Sequence, residues 1–292
     1  MPNTPAIPST GSRVPGPGSR NPEIALLGGG NMARALIGGL LRSGVPAAAL
    51  RVSEPRAEAR AELAQAFGIA THADNAEAAH GAALWVLAVK PQVLRTVCAA
   101  LAPVAQNERP VVLSIAAGIR SEQIERWLGG DLAVVRAMPN TPALLGAGAA
   151  GLCANAKVDG AGRALVERVL GAVGITCWIE DEAQMDVVTA LSGSGPAYFF
   201  LLVDALEQAA VARGLPREAA RALAAQTCLG AGRMLLESGA TAGELRQRVT
   251  SPGGTTAAAL ERFSAGGFAA LVAEGLAAAT QRGAELSAQA QD

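Results

Sequence analysis

Short apolar runs alternate with helical stretches along residues 23–180 of the chain. The runs are rich in Val, Leu and Ile and have the length of buried strands, and segments with helical spacing separate them. The predicted strands lie at 23–27, 50–53, 83–89, 111–115 and 132–136, and a final β–α–β stretch lies at 148–180. Strands that alternate with helices are typical of a parallel sheet with helices on both faces. The pattern therefore predicts an α/β fold with a doubly wound parallel sheet.

The pattern changes at residue 182, and the rest of the chain has helical spacing only. Long helices are predicted at 197–212 and 217–237, and two more follow the stretch 248–260. These helices are apolar around most of their circumference, and so short a region cannot bury that surface against itself. We therefore predict an all-helical second domain whose apolar faces are covered in a homo-oligomer.

Three regions follow from these patterns: a tail at 1–22, a sheet domain at 23–181 and a helical domain at 182–292. The tail is rich in Pro, Gly, Ser and Arg and has no apolar segment. This composition predicts a disordered tail rather than a signal peptide.

The composition also narrows the classes of partner. The formal net charge is −1 and aromatic residues make up 3% of the chain, so neither charge nor base stacking favours a nucleic acid. No window holds the roughly 18 consecutive apolar residues of a membrane span, so no membrane partner is expected. The two histidines, His72 and His80, are too few to suggest a metal site.

The cysteines lie far apart and form no C-x-x-C pair, so we expect buried free thiols in a reducing compartment. This expectation places the protein in the cytoplasm. The cysteines are Cys98, Cys153, Cys177 and Cys228.

A glycine motif, G-G-G-N-M-A at 28–33, follows the first predicted strand and opens a helix. The spacing G-x-G-x-x-A in this context is the fingerprint of a dinucleotide-binding, Rossmann-type domain. We expect Gly28 to form the tight turn, Gly30 to admit the pyrophosphate, and Ala33 to allow close packing of helix on strand. The cofactor-binding residues predicted in this motif are Gly28, Gly30, Asn31 and Met32.

The end of the second strand should contact the adenosine ribose of the cofactor. Glu54 lies where an acidic residue binds the ribose 2′-hydroxyl in proteins that use NAD. Arg56 is suited to the 2′-phosphate of NADP, and Ser53 adds a hydroxyl donor. The two cues point in opposite directions, so these residues alone leave NADH and NADPH open.

Two more strand ends are expected near the nicotinamide, because ligands bind at the carboxyl ends of strands in open α/β sheets. The first carries Ala88, Val89 and Lys90, and the second carries Ala116 and Ala117. Small residues at these ends would let a flat nicotinamide lie against the backbone. For Lys90, a strand-end side chain that extends into solvent is an equally good interpretation.

The stretch 248–260 joins two predicted helices and has the sequence R-V-T-S-P-G-G-T-T-A-A-A-L. Gly253 and Gly254 permit a tight bend, and the helix that follows begins with free N–H groups that favour an anion. Ser251, Thr255 and Thr256 add hydroxyl donors. Spacing alone favours an ordinary capped turn over an anion site.

Six motifs give the chain a resemblance to the pyrroline-5-carboxylate reductases, in which they occur in the same order. The resemblance covers residues 23–286, and the last three motifs together are specific to that family. The motifs are the glycine loop at 28–33, A-V-K-P at 88–91, S-I-A-A-G at 114–118, M-P-N-T-P at 138–142, S-G-S-G-P at 192–196 and S-P-G-G-T-T at 251–256.

The resemblance implies a Rossmann domain followed by a helical dimerisation domain, with homodimers assembled into a higher oligomer. It implies reduction of 1-pyrroline-5-carboxylate to L-proline, the last step of proline biosynthesis, with NADPH and possible use of NADH. It also implies that Asn75 contacts the cofactor ribose, although spacing alone favours Asn75 as a helix N-cap. Its implied substrate-binding residues are Ser251, Gly254, Thr255 and Thr256, with Thr256 as the catalytic candidate.

Two other functions fit part of the pattern. A 3-hydroxyacid dehydrogenase of the 6-phosphogluconate type shares the glycine motif and a helical second domain, but that class uses a lysine in the second domain. Here the only lysines, Lys90 and Lys157, lie in the first half of the chain. A non-catalytic NADP-binding sensor would keep the glycine motif, but the complete motif at 251–256 argues against it.

Overall fold

The computed structural model describes residues 23–289, and the predicted tail at 1–22 lies outside them. The described chain contains one sheet of eight strands. The strands are β1 (Ile24–Leu27), β2 (Leu50–Ser53), β3 (Ala70–His72), β4 (Leu84–Leu87), β5 (Val111–Ser114), β6 (Val134–Met138), β7 (Gly148–Ala154) and β8 (Gly174–Trp178). The α-helices are α1 (Asn31–Arg42), α2 (Ala57–Phe67), α3 (Asn75–Ala79), α4 (Pro91–Glu108), α5 (Ser121–Trp127), α6 (Gly160–Gly171), α7 (Met185–Val188), α8 (Gly195–Val211), α9 (Arg217–Glu237), α10 (Ala242–Arg248), α11 (Thr255–Ala265) and α12 (Phe268–Gln289).

The strand order is β3-β2-β1-β4-β5-β6-β7-β8, with β1 between β2 and β4. Every pairing among strands β1 to β6 is parallel. The order of connection reverses between β1 and β4, and a crevice forms at the carboxyl ends of strands at such a switch point. The sheet therefore offers its ligand site where β1, β4 and β5 end.

Alternate residues of β1 contribute to two hydrophobic layers. Ile24 and Leu26 lie in the layer that includes α1 and α6, whereas Ala25 and Leu27 lie in the layer that includes α3, α4 and α5. Trp85 on β4 is fully buried in the second layer, where its indole N–H donates to the Ala79 carbonyl at 3.0 Å. Helices thus cover both faces of the sheet, which confirms the doubly wound prediction.

Strand β7 departs from the predicted parallel arrangement. It runs antiparallel to β6, with Arg136 opposite Cys153, and β8 then pairs parallel to β7. The connection at 139–147 is shorter than the dozen or so residues that a parallel crossover needs. A short connection can only return the chain beside β6 in the opposite direction.

Helices α8 to α12 bury little of their own surface in the single chain. Phe200 on α8 is 68% exposed and Leu223 on α9 is 60% exposed. An apolar groove of about 680 Å³ lies between α8 and α9, with Phe199, Leu206 and Leu223 in its walls. So large an exposed apolar surface indicates a region that is completed by another molecule.

The helical stretch Glu182–Val211 has the length and apolar composition of a membrane span, and 11% of its most apolar window is buried within the single chain. The bent pair of α11 and α12 meets the same criteria only when the two helices are taken together. The sequence contains no run of 18 consecutive apolar residues here, because polar residues and glycines divide the stretch. A helix that packs against other helices has the same composition as a membrane helix.

The prediction that all four cysteines are buried is wrong for two of them. Cys98 and Cys153 are buried, but Cys177 is exposed and Cys228 is partly exposed. Cys177 lies on β8, which has no strand on its outer side, and Cys228 lines the groove between α8 and α9. Burial raises the pKa of the Cys98 thiol to about 12, so this side chain stays protonated.

Candidate active site

The glycine loop after β1 has the close backbone approach that the motif predicts. Gly28 has φ +107°, and a Cβ atom there would lie 2.7 Å from the Ala88 carbonyl oxygen. Its N–H donates to the Ser53 carbonyl at 3.0 Å, so the loop is tied to the ends of both neighbouring strands. Any side chain at this position would push β1 and β4 apart.

The N-terminus of α1 has the features of a pyrophosphate site. Gly30 is its N-cap residue, and no side chain accepts a hydrogen bond from the first turn. A Cβ atom built on Gly30 would meet nothing within 4 Å, so there is open space beside Gly30 at the start of α1. Free amides and the helix dipole favour an anion at this position. The loop therefore fits the dinucleotide that the motif predicts.

The Glu54 carboxylate is bound inside the protein rather than offered to a ribose. Its side chain is 8% exposed, and its Oε1 accepts hydrogen bonds from the Nε of Arg56 at 3.0 Å and from the backbone N–H of Arg56 at 3.1 Å. Burial would raise the pKa of this carboxyl, but the bonds from Arg56 and from the Gly29 N–H outweigh it and lower the pKa. Glu54 is thus ionised and already paired.

A second arginine that the sequence analysis missed lies beside this pair. Arg60, in the first turn of α2, donates from Nη1 to the carbonyl oxygens of Glu54 and Pro55, both at 2.8 Å. Arg56 is 71% exposed at the side chain. Two guanidinium groups therefore lie beside one ionised carboxylate, which is paired with Arg56, at the end of β2. The signal in the sequence was an arginine one helical turn after Arg56.

Asn75 is not the N-cap that its spacing favours. Asp74 caps α3, because its Oδ1 accepts from the N–H groups of Ala76 at 2.7 Å and Glu77 at 3.0 Å. Asn75 instead accepts a 2.6 Å hydrogen bond from the Ser53 hydroxyl at Oδ1. The two side chains meet at the carboxyl edge of the sheet, between the ends of β2 and β3.

The two strand ends predicted to face the nicotinamide lie side by side, because β4 and β5 are adjacent and parallel. After β4, Ala88 and Val89 are partly buried and Lys90 is exposed as the N-cap of α4. After β5, Ala116 is buried and Ala117 is exposed. The side chains at this edge are small. Lys90 is exposed, which agrees with the alternative interpretation that its side chain extends into solvent.

Two motifs that are far apart in the sequence meet at one point. Asn140 donates from Nδ2 to the Ser192 carbonyl at 3.0 Å and accepts at Oδ1 from the Ala149 N–H at 2.9 Å. A Cβ atom on Gly193 would lie 2.6 Å from Cε of Met138. The M-P-N-T-P and S-G-S-G-P motifs therefore form one junction between the sheet and the helices.

The junction contains a π-helical turn at Thr189–Gly193, between α7 and α8. The Ser194 N–H donates to the Thr189 carbonyl at 2.8 Å, which closes the wider turn. π-Helical turns are rare in proteins as a whole, and those that occur often lie at functional sites. Helical periodicity across this stretch gave no sign of it.

The stretch 248–260 forms a tight loop followed by the N-terminus of α11. Gly253 has φ +69°, and the Gly254 N–H donates to the Ser251 carbonyl at 3.0 Å. Gly254 is the N-cap residue of α11, and no side chain caps the first turn. Thr255 is exposed and Thr256 is partly exposed. The first N–H groups of α11 therefore have no partner on their N-cap residue.

This loop and the glycine loop are not brought together within the single chain. Helix α11 packs against α12, and α10 packs against α9. Among the described residues, α10 and α11 form no comparably extensive contact with the sheet. The two halves of the predicted site thus lie on elements whose main packing partners are different.

Two protein families match the chain. Residues 23–118 match the family described as NADP oxidoreductase coenzyme F420-dependent, which covers the glycine loop and the ends of β2, β4 and β5. Residues 182–286 match the family described as pyrroline-5-carboxylate reductase dimerisation. The second match accounts for the exposed apolar helices as a dimerisation region.

Curated relatives match nearly the whole chain. The pyrroline-5-carboxylate reductase of Pseudomonas aeruginosa is 54% identical over 268 residues, which span 92% of this chain and 98% of that protein. The corresponding enzyme of Haemophilus influenzae is 43% identical and covers 90% of this chain and 97% of its own length. The likeness therefore includes both the sheet and the helical region.

Solved structures agree with this assignment. A pyrroline-5-carboxylate reductase from Coxiella burnetii superposes with a TM-score of 0.89 at 41% identity, over 92% of this chain and 99% of that one. The Plasmodium falciparum pyrroline carboxylate reductase, solved with NADP bound, gives a TM-score of 0.80 at 29% identity, over 92% of this chain and 100% of that one. The chain belongs to the pyrroline-5-carboxylate reductase family.

Proposed function

We infer that this protein reduces 1-pyrroline-5-carboxylate to L-proline with NAD(P)H, the last step of proline biosynthesis. The observation that carries the inference is the 54% identity to a curated reductase across 92% of this chain and 98% of the relative. The open glycine loop at the switch point of the sheet supports the use of a dinucleotide. The enzyme is an oxidoreductase that acts on a carbon–nitrogen double bond.

The loop at 251–256 binds the substrate carboxylate. Support comes from the N-terminus of α11, where Gly254 leaves the first N–H groups without a side-chain cap. The hydroxyls of Ser251, Thr255 and Thr256 lie on the same short segment. A carboxylate at this position would accept hydrogen bonds from amides and hydroxyls and would be favoured by the helix dipole.

Reduction of a cyclic imine requires the protein to position the substrate and the cofactor, and it does not require a strong base. A reduced nicotinamide, when bound, would supply a hydride for C5 of the cyclic imine, whose nitrogen would take up a proton. The protein holds the carboxylate, excludes water and fixes the ring at the transfer distance. Thr256 donates a hydrogen bond to the imine nitrogen and is the catalytic candidate, with the proton supplied through a bound water.

The cofactor lies along the carboxyl edge of β1, β2, β4 and β5. Glu54 contributes by holding Arg56, and Asn75 offers its amide nitrogen to the ribose. The residues proposed to line this site are Gly28, Gly30, Asn31, Met32, Ser53, Glu54, Arg56, Asn75, Ala88, Val89, Lys90, Ala116 and Ala117.

NADPH is the preferred cofactor. The Glu54 carboxylate is buried and paired with Arg56, so it is not free to bind the ribose 2′-hydroxyl of NADH. Arg56 and Arg60 leave positive charge at the end of β2, where a 2′-phosphate would lie. NADH lacks that phosphate and gains nothing from the two guanidinium groups.

The complete site forms between copies of the chain. Within one chain, α10 and α11 pack on α9 and α12 rather than on the sheet. The helical region belongs to the dimerisation family, and its apolar groove is open in the single chain. One copy therefore supplies the glycine loop and its partner supplies the loop at 251–256. The dimers assemble further into a higher oligomer in the cytoplasm.

Turnover of the substrate tests this function directly. Purified enzyme is incubated with racemic 1-pyrroline-5-carboxylate and NADPH or NADH, and nicotinamide oxidation and proline formation are followed together. We expect stoichiometric proline and a lower KM for NADPH than for NADH. Tight NADPH binding without turnover would favour a sensor. Turnover only in a parallel assay of 3-hydroxyacids with the oxidised cofactor, NADP⁺ or NAD⁺, would favour the 6-phosphogluconate type.

A further inference from the structure

An ionic cluster around a buried arginine joins the sheet to the helical region. Arg136 on β6 is the only buried lysine or arginine among residues 23–289, with a side chain that is 4% exposed. Its Nη1 lies 3.5 Å from Oε1 of Glu182, and its Nη2 lies 3.6 Å from Oδ1 of Asp186. Both carboxylates belong to the segment where the chain leaves the sheet. The dinucleotide and the substrate, as placed above, contact none of these groups.

Each carboxylate of the cluster also holds a second element. Glu182 accepts from the Ser121 N–H at 2.7 Å and from the Ser121 hydroxyl at 2.6 Å, which fixes the start of α5. Asp186 accepts from the Ser287 hydroxyl at 3.4 Å, near the end of α12. Ser287 is 2% exposed. The guanidinium thus connects β6, α5 and α12 through two carboxylates.

The end of α12 lies directly against the loop that follows β5. A Cβ atom placed on Gly118 would lie 3.5 Å from the Ser287 backbone nitrogen and 3.7 Å from Cβ of Leu286. Gly118 has φ +76°, so this loop also holds a left-handed conformation. Ala116 and Ala117 precede it, and they are the small residues at the proposed nicotinamide edge. Movement at the end of α12 would reach the nicotinamide through this contact.

We propose that Arg136, Asp186 and Ser287 are positioning residues that set the nicotinamide for hydride transfer by fixing α12 against the 116–118 loop. The proposal rests on the proposed reductase function. Apolar packing alone would hold these elements together but is weakly directional, whereas the contacts of Asp186 with Arg136 and Ser287 define one arrangement of the end of α12. Hydride transfer is sensitive to small errors of position, so loosening the cluster should slow chemistry more than it weakens binding.

The test replaces Asp186 by its neutral isostere, Asp186→Asn, and separately removes the hydroxyl with Ser287→Ala. Rates are measured with NADPH and with NADPH deuterated at the transferred hydrogen. We expect kcat to fall by about fivefold or more in Asp186→Asn and about twofold in Ser287→Ala. KM for both substrates should stay within about twofold, and the isotope effect on kcat should rise in both variants.

A matched control carries the same chemical change at an exposed ion pair. Asp131 pairs with Lys157 and Arg109 on the surface, and Asp131→Asn should leave kcat and the isotope effect unchanged. A lower melting temperature with unchanged kcat and isotope effect would assign the cluster to stability alone and overturn the proposal. Ser287→Ala decides the same question if Asp186→Asn does not fold. Turnover by the unchanged enzyme is measured first, so a failure of the proposed function is recognised separately.

Discussion

The Ser53 hydroxyl donates a 2.6 Å hydrogen bond to Oδ1 of Asn75, which ties the end of β2 to the start of α3. Because Oδ1 is the acceptor in this bond, the bond leaves both N–H donors on Nδ2 for a cofactor. The cap of α3 is Asp74, so a substitution at Asn75 leaves the helix terminus intact. The side chain can therefore be changed without disturbing the fold around it.

We predict that Asn75→Asp weakens NADPH binding by about tenfold, or 1.4 kcal/mol. Aspartate still accepts from Ser53, but it has no donor for the ribose and it places a negative charge near the phosphates. Fluorescence titration with NADPH measures the dissociation constant, and the melting temperature should change by less than about 2 °C. Asn107→Asp, an identical change on the exposed last turn of α4, should have no effect on binding. Unchanged affinity in Asn75→Asp would remove Asn75 from the cofactor site.

Gly30→Ala should separate folding from cofactor binding. Gly30 has φ −70° and its added Cβ would meet nothing within 4 Å, so alanine fits the protein without its cofactor. The same methyl group would occupy the space that the pyrophosphate needs. We expect a melting temperature within about 2 °C of the original and NADPH affinity at least about tenfold lower. Gly171→Ala, which also meets nothing within 4 Å, is the control, and equal affinity in the two variants would contradict the pyrophosphate assignment.

Arg56→Ala should change the choice between the two cofactors. The guanidinium is proposed to contact the 2′-phosphate, which only NADPH carries. We expect the KM for NADPH to rise by about tenfold while the KM for NADH stays within about twofold. Steady-state kinetics with both cofactors measure the ratio, and Arg126→Ala, at an exposed arginine of α5, should leave it unchanged. An equal rise in both KM values would mean that Arg56 stabilises the loop after β2 and does not contact the 2′-phosphate.

Thr256→Ala should lower kcat/KM for 1-pyrroline-5-carboxylate by at least about tenfold, or 1.4 kcal/mol. The substitution removes a hydroxyl at the start of α11, where the carboxylate and imine are proposed to bind. NADPH affinity should not change, because the cofactor is proposed to lie on the sheet. The matched control is Thr280→Ala, since the Thr280 hydroxyl donates to the Leu276 carbonyl of its own helix. Normal kinetics in Thr256→Ala would exclude this hydroxyl from the chemistry.

Leu223→Glu should produce a monomer that binds NADPH and does not turn over. Leu223 lies in the groove between α8 and α9, and a charge there opposes burial against a second copy. Light scattering gives the mass, and NADPH titration reports on the sheet independently. Val93→Glu places the same charge at a residue of similar exposure on α4 and should keep the assembly. An active monomer would show that one chain holds a complete site.

The sheet was largely predictable because buried parallel strands have a strong local signal. The central strands are short, apolar and flanked by turns, and β5 (Val111–Ser114) starts where the pattern placed it. Strand β3 was missed because Ala70–His72 is brief, mixed in polarity and at the sheet edge. The antiparallel direction of β7 depends on the length of a connection, which local periodicity does not express.

The parts of the site that depend on backbone conformation were predictable from the sequence. The parts that depend on which hydrogen-bond partner a side chain has were not. The glycine loop follows from residue type alone, since only glycine accepts φ +107° beside the Ala88 carbonyl. Glu54 could not be assigned, because its role depends on whether its carboxylate turns inward to Arg56. The contact between Asn140 and Ser192 spans two motifs, and no spacing rule relates them.

The open groove between α8 and α9 has a consequence for the thermodynamics of the protein. If a second copy covers it, much of the apolar burial of the helical region exists only in the assembled form. The free energy of unfolding then includes a concentration term, and the melting temperature rises with the amount of protein. Dilution would expose these helices and remove catalysis together, so the abundance of the enzyme would itself set the fraction that is active.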